Sequence, residues 1–268
     1  MVSFDTKKYW ETRLSKDYSL HGVGRLNWGL HYNKWLYRVR RAVFRRLMRS
    51  LQRDTADADV LDIGSGTGFY INRWKELGVN SITGIDLTEV AVRRLSQQFP
   101  ADTFLQMNIG QSSEALAGRS FDFISCMDVM FHIVDDCEYE AAVGNVFSLL
   151  KDGGYFIFSD LFLHGETRRA SYIVHRNISM VEDLCRNAGF ELVDRVPMFV
   201  LMNEPLDTSN RFLRLYWAVL TRIVTRVRVL GLVIGAALYP IERILISRLR
   251  ESPATEILIC RKPPAGED

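Results

Sequence analysis

The sequence predicts an α/β fold, an open and mostly parallel sheet of seven strands with helices on both faces. Three observations carry this expectation. From Ala58 onward, short apolar runs alternate with helical segments. The first of those runs ends in a glycine cluster, VLDIGSGTGFY over residues 60–70. Residues 4–53, before it, have helical spacing, so the alternation starts only where the sheet does.

In order, the strands are expected at 59–63, 81–86, 102–107, 121–126, 153–160, 190–200 and 255–262. NRWKELG continues the first strand as a helix that stops at Gly78. Further helices start near Thr88, run from about Glu138 to Leu150, and run over 179–190 to end at Gly189. About 50 residues between the last two strands, 205–252, also read as helix. Thr208 or Ser209 would cap its first part, Gly231 would interrupt the pattern, and Pro240 would sit in the first turn of another helix. The expected organisation is a helical cap over 1–55, a core over 56–204, a helical insertion over 205–252, and a final core strand and tail over 253–268.

The long N-terminal helix repeats Trp35, Val39, Val43, Leu47 and Leu51 at spacings of four, which marks a buried stripe. Its arginines, Arg38, Arg40, Arg41, Arg45, Arg46 and Arg49, read as the solvated side of that helix. The formal charge of +2 on 268 residues gives no reason to expect a nucleic-acid partner. Four scattered cysteines (Cys126, Cys137, Cys185, Cys260), without a CxxC pair or a leader, suggest reduced thiols in a cytoplasmic protein. The apolar run 229–239 has 11 residues, against roughly 20 for a bilayer-crossing helix, so no anchor is expected.

The glycine segment holds the chemistry. Asp62, Gly64, Gly66 and Gly68 form D-x-G-x-G-x-G, and Phe69 stands where a dinucleotide fingerprint would have its third glycine. Alternate glycines let the backbone approach a ligand closely. A carboxylate just ahead of them suits a cationic amino group and disfavours a pyrophosphate. Asp86 ends the second strand, 22 residues past Gly64, where a carboxylate can accept from both ribose hydroxyls. The expected ligand therefore has a ribose and an amino acid head.

With VLDIGSGTG, then GIDLT, FDFISCMDVMFHI and LLKDGGYFIFSD in that order, residues 58–200 resemble the class I S-adenosylmethionine-dependent methyltransferases. The resemblance implies a Rossmann-like core and S-adenosyl-L-methionine as cofactor. It implies that Asp62 and the loop Gly64, Ser65, Gly66 and Gly68 hold the methionine moiety. Asp86 would bind the ribose and Leu87 would lie against the adenine. Met127, at the end of strand four, belongs to the same pocket. Asn108 stands where many relatives have an aspartate that contacts the adenine amino group. The cap and insertion are similar to those of bacterial small-molecule and sugar methyltransferases.

Methyl transfer is a displacement that needs alignment, and a hydroxyl acceptor also needs a base. His132, after strand four, is the candidate catalytic base; the alternative is a structural or cofactor-pocket role. His164 and His175 follow strand five on the same side, and His21, His31 and Tyr32 could reach over the pocket from the cap. Asp135 and Asp136 read as a helix cap, and no metal is expected. The aromatics Trp10, Trp28, Trp35, Tyr216 and Trp217 suit stacking on an acceptor or simple packing of a lid. The insertion, with Arg211, Arg214, Arg222 and Arg226 along one side, reads as a lid; a homodimer surface and a helix on a membrane are the alternatives.

Overall fold

A computed structural model describes residues 4–111 and 113–266. The extreme ends of the expected cap and tail, residues 1–3 and 267–268, lie outside the described residues. The first helix, α1 (Thr6–Lys16), is capped by Asp5, whose side chain accepts from Lys8 N at 2.9 Å. A turn and a short 3-10 segment then separate it from α2 (Gly29–Ser50). The sequence reading of 4–53 as helix therefore needs this correction. Arg13 breaks the continuity by reaching the carbonyls of Gly22 and Gly24, which folds residues 17–28 back on α1.

The strands are β1 (Val60–Ile63), β2 (Ile82–Asp86), β3 (Thr103–Gln106), β4 (Phe121–Met127) and β5 (Leu150–Asp160). A two-residue ribbon, β6 (Arg168–Arg169) with β7 (Val174–His175), precedes β8 (Glu191–Pro197) and β9 (Glu256–Arg261). The seven-stranded sheet has the order β3-β2-β1-β4-β5-β9-β8. The pairs from β3 through β5 are parallel, and β9 is antiparallel to both β5 and β8. The mostly parallel sheet is thus as expected.

Helices α3 (Phe69–Lys75), α4 (Glu89–Gln98), α5 (Asp136–Leu149) and α6 (Ile178–Asn187) fill the crossovers. Side chains alternate across the sheet at the strand period. In β9, Ile257 and Ile259 join one core with α2, α3 and α4, while Leu258 and Cys260 join another with α5 and α6. The first core contains Val39, Val43 and Phe44 of α2, so this helix packs on the sheet itself. Its buried stripe is wider than spacing by four implies: Leu36, Tyr37, Phe44 and Met48 are buried beside Val39, Val43 and Leu47.

Between β8 and β9 lie α7 (Arg211–Arg226) and α8 (Leu230–Arg248). Asn210, rather than Thr208 or Ser209, caps α7 by accepting from Phe212 N and Leu213 N. The break falls at 227–229, and Gly231 is buried against Tyr32. Pro240 lies inside α8, correcting the expected new helix start. It sits on the exposed side, which eases the loss of one backbone bond.

Candidate active site

The strand order reverses between β1 and β4, which opens a crevice at the carboxyl ends of the parallel strands. A cavity of about 730 Å³ lies there, lined by residues that follow β1, β2, β3 and β4. Of the sequence-derived candidates, it brings together Gly64, Ser65, Gly66, Asp86, Leu87, Asn108, Met127 and His132. Asp62 and Gly68 do not line it.

The loop after β1 is held from below and from the side. Gly64 N and Ser65 N donate to Ile85 O at 2.8 and 3.1 Å. Gly64 has φ +71°, and a Cβ there would collide with the Val129 side chain. Only glycine meets both conditions. Gly68, at φ +77°, packs closely instead, because a Cβ there would come within 2.8 Å of Phe99 and 2.9 Å of Leu95.

Two buried carboxylates lie under this loop. Asp62, expected to touch the ligand, is turned beneath it: Trp74 Nε1 donates to Ser125 Oγ at 2.9 Å, and Ser125 Oγ donates to Asp62 Oδ1 at 2.6 Å. Burial pushes the Asp62 carboxyl up to about 7. Asp86 is also raised by burial, against hydrogen bonds from Thr88 and Gly66. Its Oδ1 accepts from Thr88 N and Oγ1, and its Oδ2 accepts from Gly66 N at 2.9 Å. Three of a carboxylate's roughly four lone-pair sites are therefore filled. One remains on Oδ2, so Asp86 can take one ribose hydroxyl directly in this arrangement, rather than two.

Leu87, Met107 and Ile109 supply apolar wall around Asn108. Asn108 Oδ1 accepts from Gly110 N at 3.0 Å, which fixes the amide orientation. The side chain keeps its N–H groups and one lone pair for a ligand edge.

On the other side stands His132, in a 3-10 turn after β4. Its Nδ1 meets Tyr172 O at 3.0 Å, and a carbonyl can only accept, so Nδ1 carries the proton. Nε2 is left with the lone pair. Burial lowers the His132 pKa from its ordinary value, so the neutral ring dominates at neutral pH. Trp10 meets the ring edge-on at a centroid distance of 5.2 Å.

Asp135 also lines the cavity, while the other histidines, Tyr32 and Asp136 lie elsewhere. Tyr32 is fully buried and donates to Met202 O, His21 pairs with Asp17, and His31 is outside the cavity wall. His164 binds Asp207 at 2.6 Å, and His175, lowered to about 4 by burial, has an unpartnered Nδ1 beside Phe131. Asp135 caps α5 by accepting from Glu138 N, and Asp136 is held by Arg169 and Arg176. Among the described residues, no group of three or more His, Cys, Asp or Glu is placed to hold a metal ion.

On the N-terminal side the cavity is closed by Trp10, one of the aromatics expected to stack on an acceptor or pack a lid, and by three residues with no such expectation. These three are Leu14 of α1, Val23, and Tyr37 of α2. Its spacing from Trp10 was the available signal for Leu14. Tyr18 OH donates to Gly66 O at 2.9 Å and so ties this segment to the loop. Arg40, read as solvated, is turned inward to Asp128 at 2.8 Å. Asp128 itself has φ +60°, a left-handed residue at the end of β4.

A family model described as a methyltransferase domain matches residues 35–195. The chain belongs to that family, the class I S-adenosylmethionine-dependent methyltransferases. Ubiquinone biosynthesis O-methyltransferase of Albidiferax ferrireducens is 33% identical over 114 residues, 40% of this chain and 42% of that protein. The tRNA U34 carboxymethyltransferase of Idiomarina loihiensis is 27% identical over 121 residues, 42% of this chain and 36% of that protein. This methyltransferase therefore matches less than half the length of these curated relatives. In fold it is similar to N-methyltransferase NodS from Bradyrhizobium japonicum WM9, with TM-score 0.57, 15% identity, and 97% and 100% of the two chains covered. Magnesium protoporphyrin IX methyltransferase (ChlM) from Synechocystis PCC 6803 gives TM-score 0.58 at 15% identity, covering 98% and 99%. S-adenosyl-L-methionine is the cofactor of the family. The methyltransferase's cavity fits it: the alternate glycines of the loop allow close approach, Oδ2 of Asp86 has one open acceptor position, and Leu87, Met107 and Ile109 form an apolar wall.

Proposed function

We propose that this chain is a cytoplasmic O-methyltransferase, moving a methyl group to a hydroxyl of a small acceptor such as a sugar, glycolipid or natural product. In this reading Asp86 holds the ribose, Leu87 and Asn108 the adenine, and Gly64, Ser65, Gly66 and Met127 surround the methionine part. Asp62 and Gly68 shape the loop from beneath. When bound, the cofactor supplies an electrophilic methyl group on a sulfonium sulfur.

The observation that carries the acceptor reading is His132. Its Nδ1–H is committed to the Tyr172 carbonyl, and its Nε2 lone pair belongs to a residue of the cavity wall. Neutral Nε2 accepts the hydroxyl proton as the oxygen becomes the nucleophile. Trp10, Leu14, Tyr37 and Tyr70 cover the cavity and limit water around the reacting atoms. The likeness to a ubiquinone O-methyltransferase supports an oxygen acceptor. Methylation of a neutral amine, which attacks through its own lone pair, would make less use of a base at this place.

A panel of hydroxyl, amine and carbon acceptors with labelled cofactor tests the reading. Turnover of a hydroxyl acceptor should fall about 10²–10⁴-fold in His132→Ala. It should also fall as pH drops below the ordinary histidine value, since protonation removes the lone pair. Full turnover in His132→Ala, or turnover of amines alone, would sink the proposal. Chelator in the same assay should leave turnover unchanged.

A further inference from the structure

Residues 211–250 contain eight arginines, no lysine and one carboxylate, Glu242. Glu242 is fully buried, where it accepts from the backbone N–H groups of Val200, Leu201 and Met202. The outside of α7 and α8 therefore carries cations without a single exposed carboxylate. None of the eight arginines has an ion-pair partner among the described residues.

Large apolar side chains share this surface. Phe212 is 84% exposed, Leu215 63%, Val229 67% and Val233 64%, with Val219 and Ile244 also about half exposed. On α7, Phe212, Leu215, Val219 and Ile223 fall three or four residues apart, along one face. Arg211, Arg214, Arg222 and Arg226 flank that stripe and are themselves exposed. A soluble monomer seldom leaves so much apolar surface in one place.

We infer that α7, α8 and the turn between them form a docking face for an anionic lipid surface. The arginines match lipid phosphates, each adding about fivefold in affinity near an anionic membrane, and the apolar stripe enters the interface. A second copy of the chain fits poorly. An isologous contact would set the same arginines against each other with no exposed acid to pair them. A transmembrane position fits poorly as well, although α8 is long and apolar enough by composition. Gly231 and Gly235 of α8 pack on Tyr32 and Trp35 of α2, and Glu242 is bonded to residues 200–202. Crossing the bilayer would break all of these contacts.

The placement is tied to the cavity through α2. Trp35 Nε1 donates to Leu232 O at 2.9 Å on the α8 side, while Tyr37 lines the cavity. Two residues along a helix turn about 200°, so one helix separates the docking face from the acceptor wall. The docking inference stands independently of the proposed O-methylation.

Co-sedimentation of the full chain with vesicles of phosphatidylcholine, alone or mixed with phosphatidylglycerol, tests it. The chain should pellet with the mixed vesicles, and at least about tenfold less with phosphatidylcholine alone. The set Phe212→Ser, Leu215→Ser, Val233→Ser and the set Arg214→Gln, Arg222→Gln, Arg226→Gln should each lose that binding. All variants should keep the wild-type melting temperature, because the altered side chains are exposed. S-adenosylhomocysteine binding, measured alongside, reports the cofactor reading separately. A chain that stays in the supernatant with anionic vesicles would overturn the inference, as would pelleting that survives both sets. A dimer in light scattering that the serine set dissociates, without vesicle binding, would assign the face to self-association instead.

Discussion

The two sides of the cavity are built differently. The cofactor side stands on the carboxyl ends of β1, β2 and β4, where Gly64, Asp86 and Met127 each lie at or one residue beyond a strand. Parallel pairing fixes those ends: Asp62 is registered with Gly84 and Ser125. The other side, which the proposed function gives to the acceptor, is assembled from α1, α2 and the turn carrying His132, whose positions depend on single long-range contacts. Tyr18 to Gly66, Arg40 to Asp128 and His132 to Tyr172 are three of them. A scaffold of backbone hydrogen bonds holds the first side, and side-chain contacts hold the second. The first should therefore fail locally and sharply, and the second gradually.

Gly64→Ala is expected to have the largest effect. A methyl at φ +71° that also collides with Val129 should reduce S-adenosylhomocysteine affinity by more than about a hundredfold, read by calorimetry. Arg40→Met should come next, costing about 3 kcal/mol of unfolding free energy. Breaking a buried ion pair costs about 3–5 kcal/mol, and the partial exposure of Asp128 sets the low end. A chemical-denaturation curve that does not shift would show that this side of the cavity does not depend on the pair.

The pH response sharpens the comparison. Asp62, raised from 3.8 to about 7 by burial, contributes stability fully present below its unfolded value and lost as pH rises through about 7. Asp160 and Glu256, also raised to about 7, act in the same direction. His132 and His175 are lowered, so their contribution is present above about 6.5 and lost as pH falls, for His175 through about 4. Between about pH 5 and pH 8 the carboxylates should make stability fall, and Asp62→Asn should flatten part of that slope. An unchanged slope would mean that Asp62 is not buried in the ionisable state described. Tyr18→Phe has the smallest expected effect. Losing one neutral hydrogen bond, about 1 kcal/mol, should weaken cofactor binding about fivefold.

The same contrast explains what could be read from the chain. Strand positions and the glycine loop were legible because period-two runs and D-x-G-x-G-x-G are local signals. His132 could be placed after β4 for the same reason. The setting of Asp62 was not legible, because its proximity in sequence to the loop does not reveal that Ser125, 63 residues away, donates to its carboxylate beneath the loop. Tyr37 and Arg40 were hidden because α2 buries a stripe wider than one apolar register and places Arg40 within it. Trp10 needed the fold-back at 17–28, which rests on Arg13 reaching two carbonyls. No local pattern records such contacts.

Calorimetric binding of S-adenosylhomocysteine to the wild type, Asp86→Ala and His132→Ala is the most direct test of the division of the cavity. Removing Asp86 takes away the open acceptor position on Oδ2 and frees Gly66 and Thr88, so affinity should fall about a hundredfold. Removing His132 should leave affinity within about threefold of wild type, because the account gives that side chain to the acceptor. Comparable losses in both variants would place His132 in the cofactor pocket and contradict the division.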